Sequence, residues 1–276
     1  GPVEAKSDFF EYDLTVGKVL GEQCLDSMNE VTQYVDKLYE TDKAKFSQIK
    51  NSFGCQDLKD DIQFLYTVAD TLAYMVQYSR PTSSPSVTSF CDGFKNKASV
   101  EDKLKNVVDT FQLFYKNNGF TYNYSIKTMD SPALLLLPKC CTEFGYWQTA
   151  PSANVSTQKS TRSKYLTVDW FNNFFCSSKY YGKYVGPPNT NHINYRHAGK
   201  YIGTDRIIFT NGEKDPWAQL SIDDVKQSRY NRPVMVIKDG SHVTDLGTPN
   251  PNNTQSLQDT QKVMIDTIDR WINRRY

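Results

Sequence analysis

Two side chains toward the C-terminal end have the types and settings for acid–base chemistry. Asp215 follows the apolar run Arg206-Ile207-Ile208-Phe209-Thr210 and sits in Asn211-Gly212-Glu213-Lys214-Asp215-Pro216-Trp217. His242 follows a second run, Pro233-Val234-Met235-Val236-Ile237, and sits in Asp239-Gly240-Ser241-His242-Val243-Thr244-Asp245-Leu246. Continuous apolar runs of this length read as strands buried on both faces of a parallel sheet. Open sheets of that class place their ligands beyond the C-terminal ends of the strands. A carboxylate and an imidazole on adjacent strand ends can meet, and the acid then fixes the tautomer and orientation of the base. A blander reading stands beside this one, because Asp-Pro is an ordinary turn and a loop histidine is ordinarily solvated.

The elements that must position this pair fall into two textures. From about Glu22 to Asn118 the pattern is helical: Leu25, Met28, Val31, Val35 and Leu38 share one face, as do Leu58, Ile62, Leu65, Val68, Leu72 and Met75. Arg80 to Ser89, rich in Pro and Ser, reads as a loop. A further helix is framed by a cap over Ser99 to Asp102, a stripe of Leu104, Val107, Phe111 and Phe114, and a stop at Asn118-Gly119. These stripes are read as core. From about Cys140 onward short β-rich runs alternate with loops, and the chain closes with a helix. Its Leu257, Met264, Ile268, Trp271 and Ile272 share a face behind a Ser256 to Asp259 cap. Strand, loop, strand, loop, long helix is an α/β ending.

Composition excludes several function classes. The 32 Lys and Arg balance 31 Asp and Glu to a formal +1, with the signs mixed along the chain, so no nucleic-acid or membrane-surface partner is implied. Purely apolar runs such as Leu134 to Leu137 are far short of a bilayer span, and nothing at Gly1 has the form of a signal peptide. The six cysteines, Cys24, Cys55, Cys91, Cys140, Cys141 and Cys176, form no Cys-x-x-Cys pair, and no metal or other cofactor is expected. Disulfides are the better reading, although Cys140 and Cys141 are strained as a mutual pair. Sequons at Asn123, Asn154 and Asn252 point the same way, toward an oxidising compartment. His192 and His197, five apart, fit no metal-binding helix spacing and read as loop residues.

Cys140-Cys141-Thr142-Glu143-Phe144-Gly145-Tyr146-Trp147-Gln148, the Asn-Gly-Glu-x-Asp-Pro-Trp box and the Gly-Ser-His-x-x-Asp-Leu box together resemble the serine carboxypeptidase family S28. The opening Gly1 to Phe9 resembles the stretch after that family's nucleophile region, so the likeness covers essentially the whole chain. One departure lies in Asn189 to Gly199, where relatives tend to carry Tyr-Gly-Gly.

The resemblance implies the C-terminal part of an α/β-hydrolase fold with an inserted, disulfide-bonded helical domain. Its expected boundaries are residues 1–14 as hydrolase core, 15–128 as helical insertion and 129–276 as the return to the core. It also implies a peptidase acting through an acyl-enzyme, favouring proline, and lysosomal or secreted. Asp215 matches the triad acid and His242 the base. No Gly-x-Ser-x-Gly elbow occurs in these 276 residues, so the Ser is expected on an upstream chain of the same precursor, without which this chain is inactive. Trp217, and second Tyr146, are the candidates for an aromatic wall around a proline. Glu143, read as a buried carboxylate, is assigned either a substrate amino terminus or, in preference, a structural role. The family also suggests Cys24 paired with Cys91 and Cys141 with Cys176, leaving Cys55 with Cys140. A peptide is the expected substrate, and a homodimer of the processed enzyme is admitted. The competing reading is a catalytically inactive hydrolase-fold glycoprotein kept for binding or storage.

Overall fold

The computed structural model describes residues 2–80, 83–118, 131–151, 158–177, 181 and 183–273, which divide into two compact units. The first spans Lys6–Thr190 and is mostly helical. Its elements are β1 (Lys6–Asp8), α1 (Glu11–Leu20), α2 (Glu22–Thr41), α3 (Lys43–Ser52), α4 (Asp61–Gln77), α5 (Val87–Asp92), α6 (Val100–Asn118) and α7 (Ser131–Lys139). A π-helix (Cys140–Phe144), β2 (Gly145–Trp147) and α8 (Val168–Phe175) follow. β1 and β2 pair in parallel, Lys6 opposite Gly145 and Asp8 opposite Trp147.

The helices form where the apolar stripes and caps put them. Leu104, Val107, Phe111 and Phe114 are all buried on α6, and the Ser99 hydroxyl accepts the Asp102 N–H at 3.1 Å. Asp60 caps α4 by accepting from the Ile62 and Gln63 amides. Two helices lacked a stripe to announce them. The buried side of α1 includes Asp13 and Thr15, and α3 buries only Phe46, Ile49 and Lys50. The expected loop at Arg80 to Ser89 ends early, because Ser86 and Ser89 build a capping box that starts α5.

Buried charges lace this unit. Asp13 accepts from the Ser160 hydroxyl at 2.8 Å and the Thr161 N–H at 3.0 Å, and Asp36 accepts the Lys164 N–H at 3.1 Å. Arg162, fully buried and placed in sequence between the partner residues Thr161 and Lys164, lies 3.9 Å from Asp13 and 3.8 Å from Asp70, and donates to Gln148 at 3.0 Å. Burial pushes the carboxyls of both Asp13 and Asp36 above the usual aspartate range, against the opposing pull of their hydrogen bonds.

Contacts divide the chain after Ala5 and after Thr190. Trp147 stacks on Phe171 and Phe175 at 5.5 and 6.0 Å between ring centres. These rings share one core with Ala69 of α4, so the stretch through α8 packs with the helices. Cys24 is bonded to Cys91 and Cys141 to Cys176. The suggested third pair is corrected: Cys55 and Cys140 are both buried free thiols. Cys140 belongs to the Trp147 core, whereas Cys55 sits in the turn after α3, its Sγ 3.8 Å from the Phe53 carbonyl oxygen. Elimination failed because a thiol can be satisfied by burial alone.

The second unit comprises Gly1–Ala5 and Asn191–Tyr276. It contains β3 (Phe209–Gly212), β4 (Val234–Ile237) and α10 (Gln255–Asn273), while α9 (Thr190–His197) leads into it. β3 and β4 are parallel, in register from Phe209 opposite Val234 to Gly212 opposite Ile237. Phe209, Ile222 and Val234 form the core beneath them. Val3 and Glu4 are tied in through their amides to the Leu220 carbonyl, and the Asn194 side chain bonds both the N–H and the carbonyl of Ala5.

Candidate active site

β3 and β4 end side by side, and each hands its chain to a short turn. The two turns are bonded to each other by main chain: Glu213 N–H donates to the Ile237 carbonyl at 3.0 Å and Lys214 N–H to the Gly240 carbonyl at 2.8 Å. Side chains reinforce the join, with Lys214 paired to Asp239 at 2.8 Å and Glu213 accepting the Asp239 N–H at 3.0 Å. Gly212 makes the approach sterically feasible. A Cβ there would stand 2.4 Å from the Ser241 carbonyl oxygen and 2.6 Å from that of Gly240, closer than any real contact.

Asp215 opens the 3₁₀ turn Pro216–Leu220 as its cap, with Pro216 at the first position where no N–H is required. One carboxylate oxygen, Oδ1, accepts the Trp217 N–H at 3.0 Å. The other, Oδ2, lies 2.9 Å from His242 Nδ1. Both oxygens are therefore assigned, and the acid is held in one orientation. An ionised carboxylate only accepts, so Nδ1 carries the proton and donates, which leaves Nε2 as the basic nitrogen of the neutral ring. The Asp215 side chain is 8% exposed and that of His242 19%, a sheltered acid with a more accessible base.

The His242 backbone is set from both sides. The Thr244 hydroxyl accepts the Ser241 N–H at 3.0 Å and donates to the Ser241 carbonyl at 2.9 Å. Val243 adopts φ 51°, a left-handed conformation that costs a β-branched residue about 1–2 kcal/mol. Thr210 of β3 donates to Asp245 at 2.8 Å. From α10, Gln261 donates to the carbonyls of Asp245 and Gly247 at 3.3 and 2.8 Å.

The structure thus brings Asp215, His242 and Trp217 into one unit, with Trp217 half-buried and its N–H spent on the acid. Tyr146 and Glu143 belong to the other unit. Tyr146 is half-buried at φ 64° and stacks on Phe144, 5.5 Å between centres. The expectation of a buried Glu143 is corrected: its side chain is 39% exposed and lies 3.7 Å from Lys139 on the next turn, an ordinary i, i+4 pair. His192 and His197 lie in the helix α9 rather than a loop, and both are exposed. Among the described residues no group of three His, Cys, Asp or Glu is arranged to hold a metal, and no helix is long and apolar enough to cross a membrane. Asn252 is exposed, while Asn123 and Asn154 lie outside the described residues. Sequence reasoning missed Gly212, Thr244 and Gln261; only Gly212 had a visible signal, as the glycine between strand and acid.

Comparison with known proteins adds an independent line. The family model described as serine carboxypeptidase S28 matches residues 1–264. A protein of Arabidopsis thaliana named "Probable serine protease EDA2" is 28% identical over 98% of this chain and 56% of its own length. Serine protease vicPb of Bipolaris victoriae is 22% identical over 98% of this chain and 59% of its own. The mouse thymus-specific serine protease is 20% identical over 98% of this chain and 57% of its own. The chain spans less than two thirds of the length of each.

Proposed function

The chain belongs to the serine carboxypeptidase S28 family, and from that membership we propose that it supplies the acid and base of a serine peptidase triad. The observation that carries this reading is the 2.9 Å contact between His242 Nδ1 and Asp215 Oδ2, with the remaining oxygen of Asp215 already occupied by the Trp217 amide. A histidine so oriented takes a proton at Nε2 and returns it from the same atom, while the fixed carboxylate stabilises the imidazolium between those steps.

On this reading the nucleophilic Ser and most of the oxyanion donors come from an upstream stretch of the same precursor, docked against this chain. The Ser oxygen adds to the scissile carbonyl as His242 accepts its proton. The leaving amine departs with that proton, and water repeats the cycle to release the acyl group. The fold is then the later part of an α/β-hydrolase core, with residues 15–128 as its helical insertion. The substrate is a peptide cut after proline, with Trp217 as the first candidate for the wall of the ring pocket and Tyr146 as the second. Two disulfides and an exposed sequon at Asn252 support a lysosomal or secreted location.

The test is labelling of the full-length protein with a fluorophosphonate, alongside hydrolysis of peptides with and without proline before the scissile bond. Labelling of a serine outside this chain, abolished by His242→Ala, supports the proposal. An intact, folded full-length protein that takes no label and cuts no peptide would favour an inactive hydrolase-fold glycoprotein.

A further inference from the structure

We infer that Asp245 is a positioning residue for His242, acting through a hydrogen bond to Thr210 on β3. The inference rests on the reading of His242 as the triad base. His242 has its ring nitrogen fixed by Asp215, but a ring contact alone does not set the Cα from which the ring projects. That Cα belongs to the turn Ser241–Gly247, which has three anchors. Thr244 closes the turn on itself, Gln261 holds its far end from α10, and Asp245 ties its middle to Thr210 at 2.8 Å.

The third anchor differs from the others in what it connects. Thr210 lies two residues before Gly212 on the strand that leads directly to Asp215, and pairs in register with Met235 of β4. The acid and the base are therefore both referred to β3, one through the chain and one through Asp245. Asp245 is three residues past His242 and half-buried, and a hydrogen bond to a carboxylate is roughly twice as strong as a neutral one. Without it the turn keeps its own closure and its tether to α10, yet loses its reference to the strand bearing the acid. A small swing of the His242 Cα then lengthens a contact whose catalytic value depends on alignment.

The experiment uses the full-length enzyme with Asp245→Ala, Asp245→Asn, Thr210→Val and Thr210→Ser. Asp245→Ala and Thr210→Val should each lower kcat about tenfold with KM within about twofold, and the pair combined should cost no more than either alone. Asp245→Asn keeps an acceptor and Thr210→Ser keeps the donor, so both should stay near the parent rate. A second readout is the low-field proton NMR signal of the His242 Nδ1–H, assigned by its loss in His242→Ala. It should broaden or vanish in Asp245→Ala and Thr210→Val and persist in the conservative variants. An active parent whose kcat and low-field proton are unchanged by Asp245→Ala and Thr210→Val overturns the inference. So does equal loss in Asp245→Asn and Asp245→Ala, which would point to charge and not to the bond. A parent with no activity refutes the proposed function, and the proton signal still decides the positioning role.

Discussion

Replacing Asp215 with Asn separates orientation from shape, because the two side chains are isosteric and the structure dictates which way the amide must face. The Trp217 N–H, 3.0 Å from Oδ1, is a donor and demands the amide oxygen. The amide NH₂ is then turned toward His242 Nδ1, 2.9 Å away, where two donors cannot face each other. The ring answers by accepting at Nδ1 and moving its proton to Nε2, which leaves no basic nitrogen for the serine. A triad trapped in the wrong tautomer loses about 10⁴ in kcat, equivalent to about 5 kcal/mol of transition-state stabilisation. The assay is steady-state hydrolysis of a proline-containing peptide by the full-length enzyme, with the melting temperature as a control for folding. Retention of more than about a tenth of the parent kcat in a folded Asp215→Asn enzyme would refute the reasoning, since it would mean that the hydrogen bond does not set the tautomer.

Gly212→Ala should reduce both stability and activity, because its Cβ would push against the Ser241 and Gly240 carbonyls at 2.4 and 2.6 Å; thermal melting and kcat are the checks, and a silent substitution would contradict the close approach. Removing the Cys24–Cys91 bond by paired alanine substitutions frees a loop of separation 67 and should cost about 4 kcal/mol, read from urea unfolding. Cys55 and Cys140, whose thiols burial pushes up to about 12, should resist a thiol reagent in the native protein and react on denaturation. Asp13 and Asp36 have native pKa values raised above 3.8, so the native state holds more protons than the unfolded one between 3.8 and the raised values. Their contribution is thus fully present below pH 3.8 and is lost as pH rises through the raised values. Asp13→Asn should flatten the fall in melting temperature with rising pH, and an unchanged slope would rule out that contribution.

Much of the candidate half-site was legible because its signals are local. An apolar run, a glycine and an acid, followed by a second run and a histidine, place Asp215 and His242 at strand ends with no knowledge of the packing. The stripes of α2, α4 and α6 were legible for the same reason. What hydropathy cannot register is a polar group chosen for burial. On α10 the expected face included Ile268 and Ile272, yet these are 45% and 74% exposed, while Gln261 and Thr267 are buried. Its cap also moved, from Ser256 to Thr254, which accepts the Leu257 N–H at 3.4 Å, because Ser256 is engaged by the Lys238 N–H at 2.9 Å. The grip of Asp13 on Ser160 and Thr161 spans 147 and 148 residues, a partnership that no window along the chain contains.

The contact between Asp215 and His242 spans only 27 residues, which bears on the order of events during folding. Closing so short a loop costs little chain entropy compared with pairing elements hundreds of residues apart. The acid and base can align from contacts within β3, β4 and their two turns, well before more distant segments have found their places. On the proposed mechanism, the step that arms the enzyme is the late arrival of a nucleophile at a finished base.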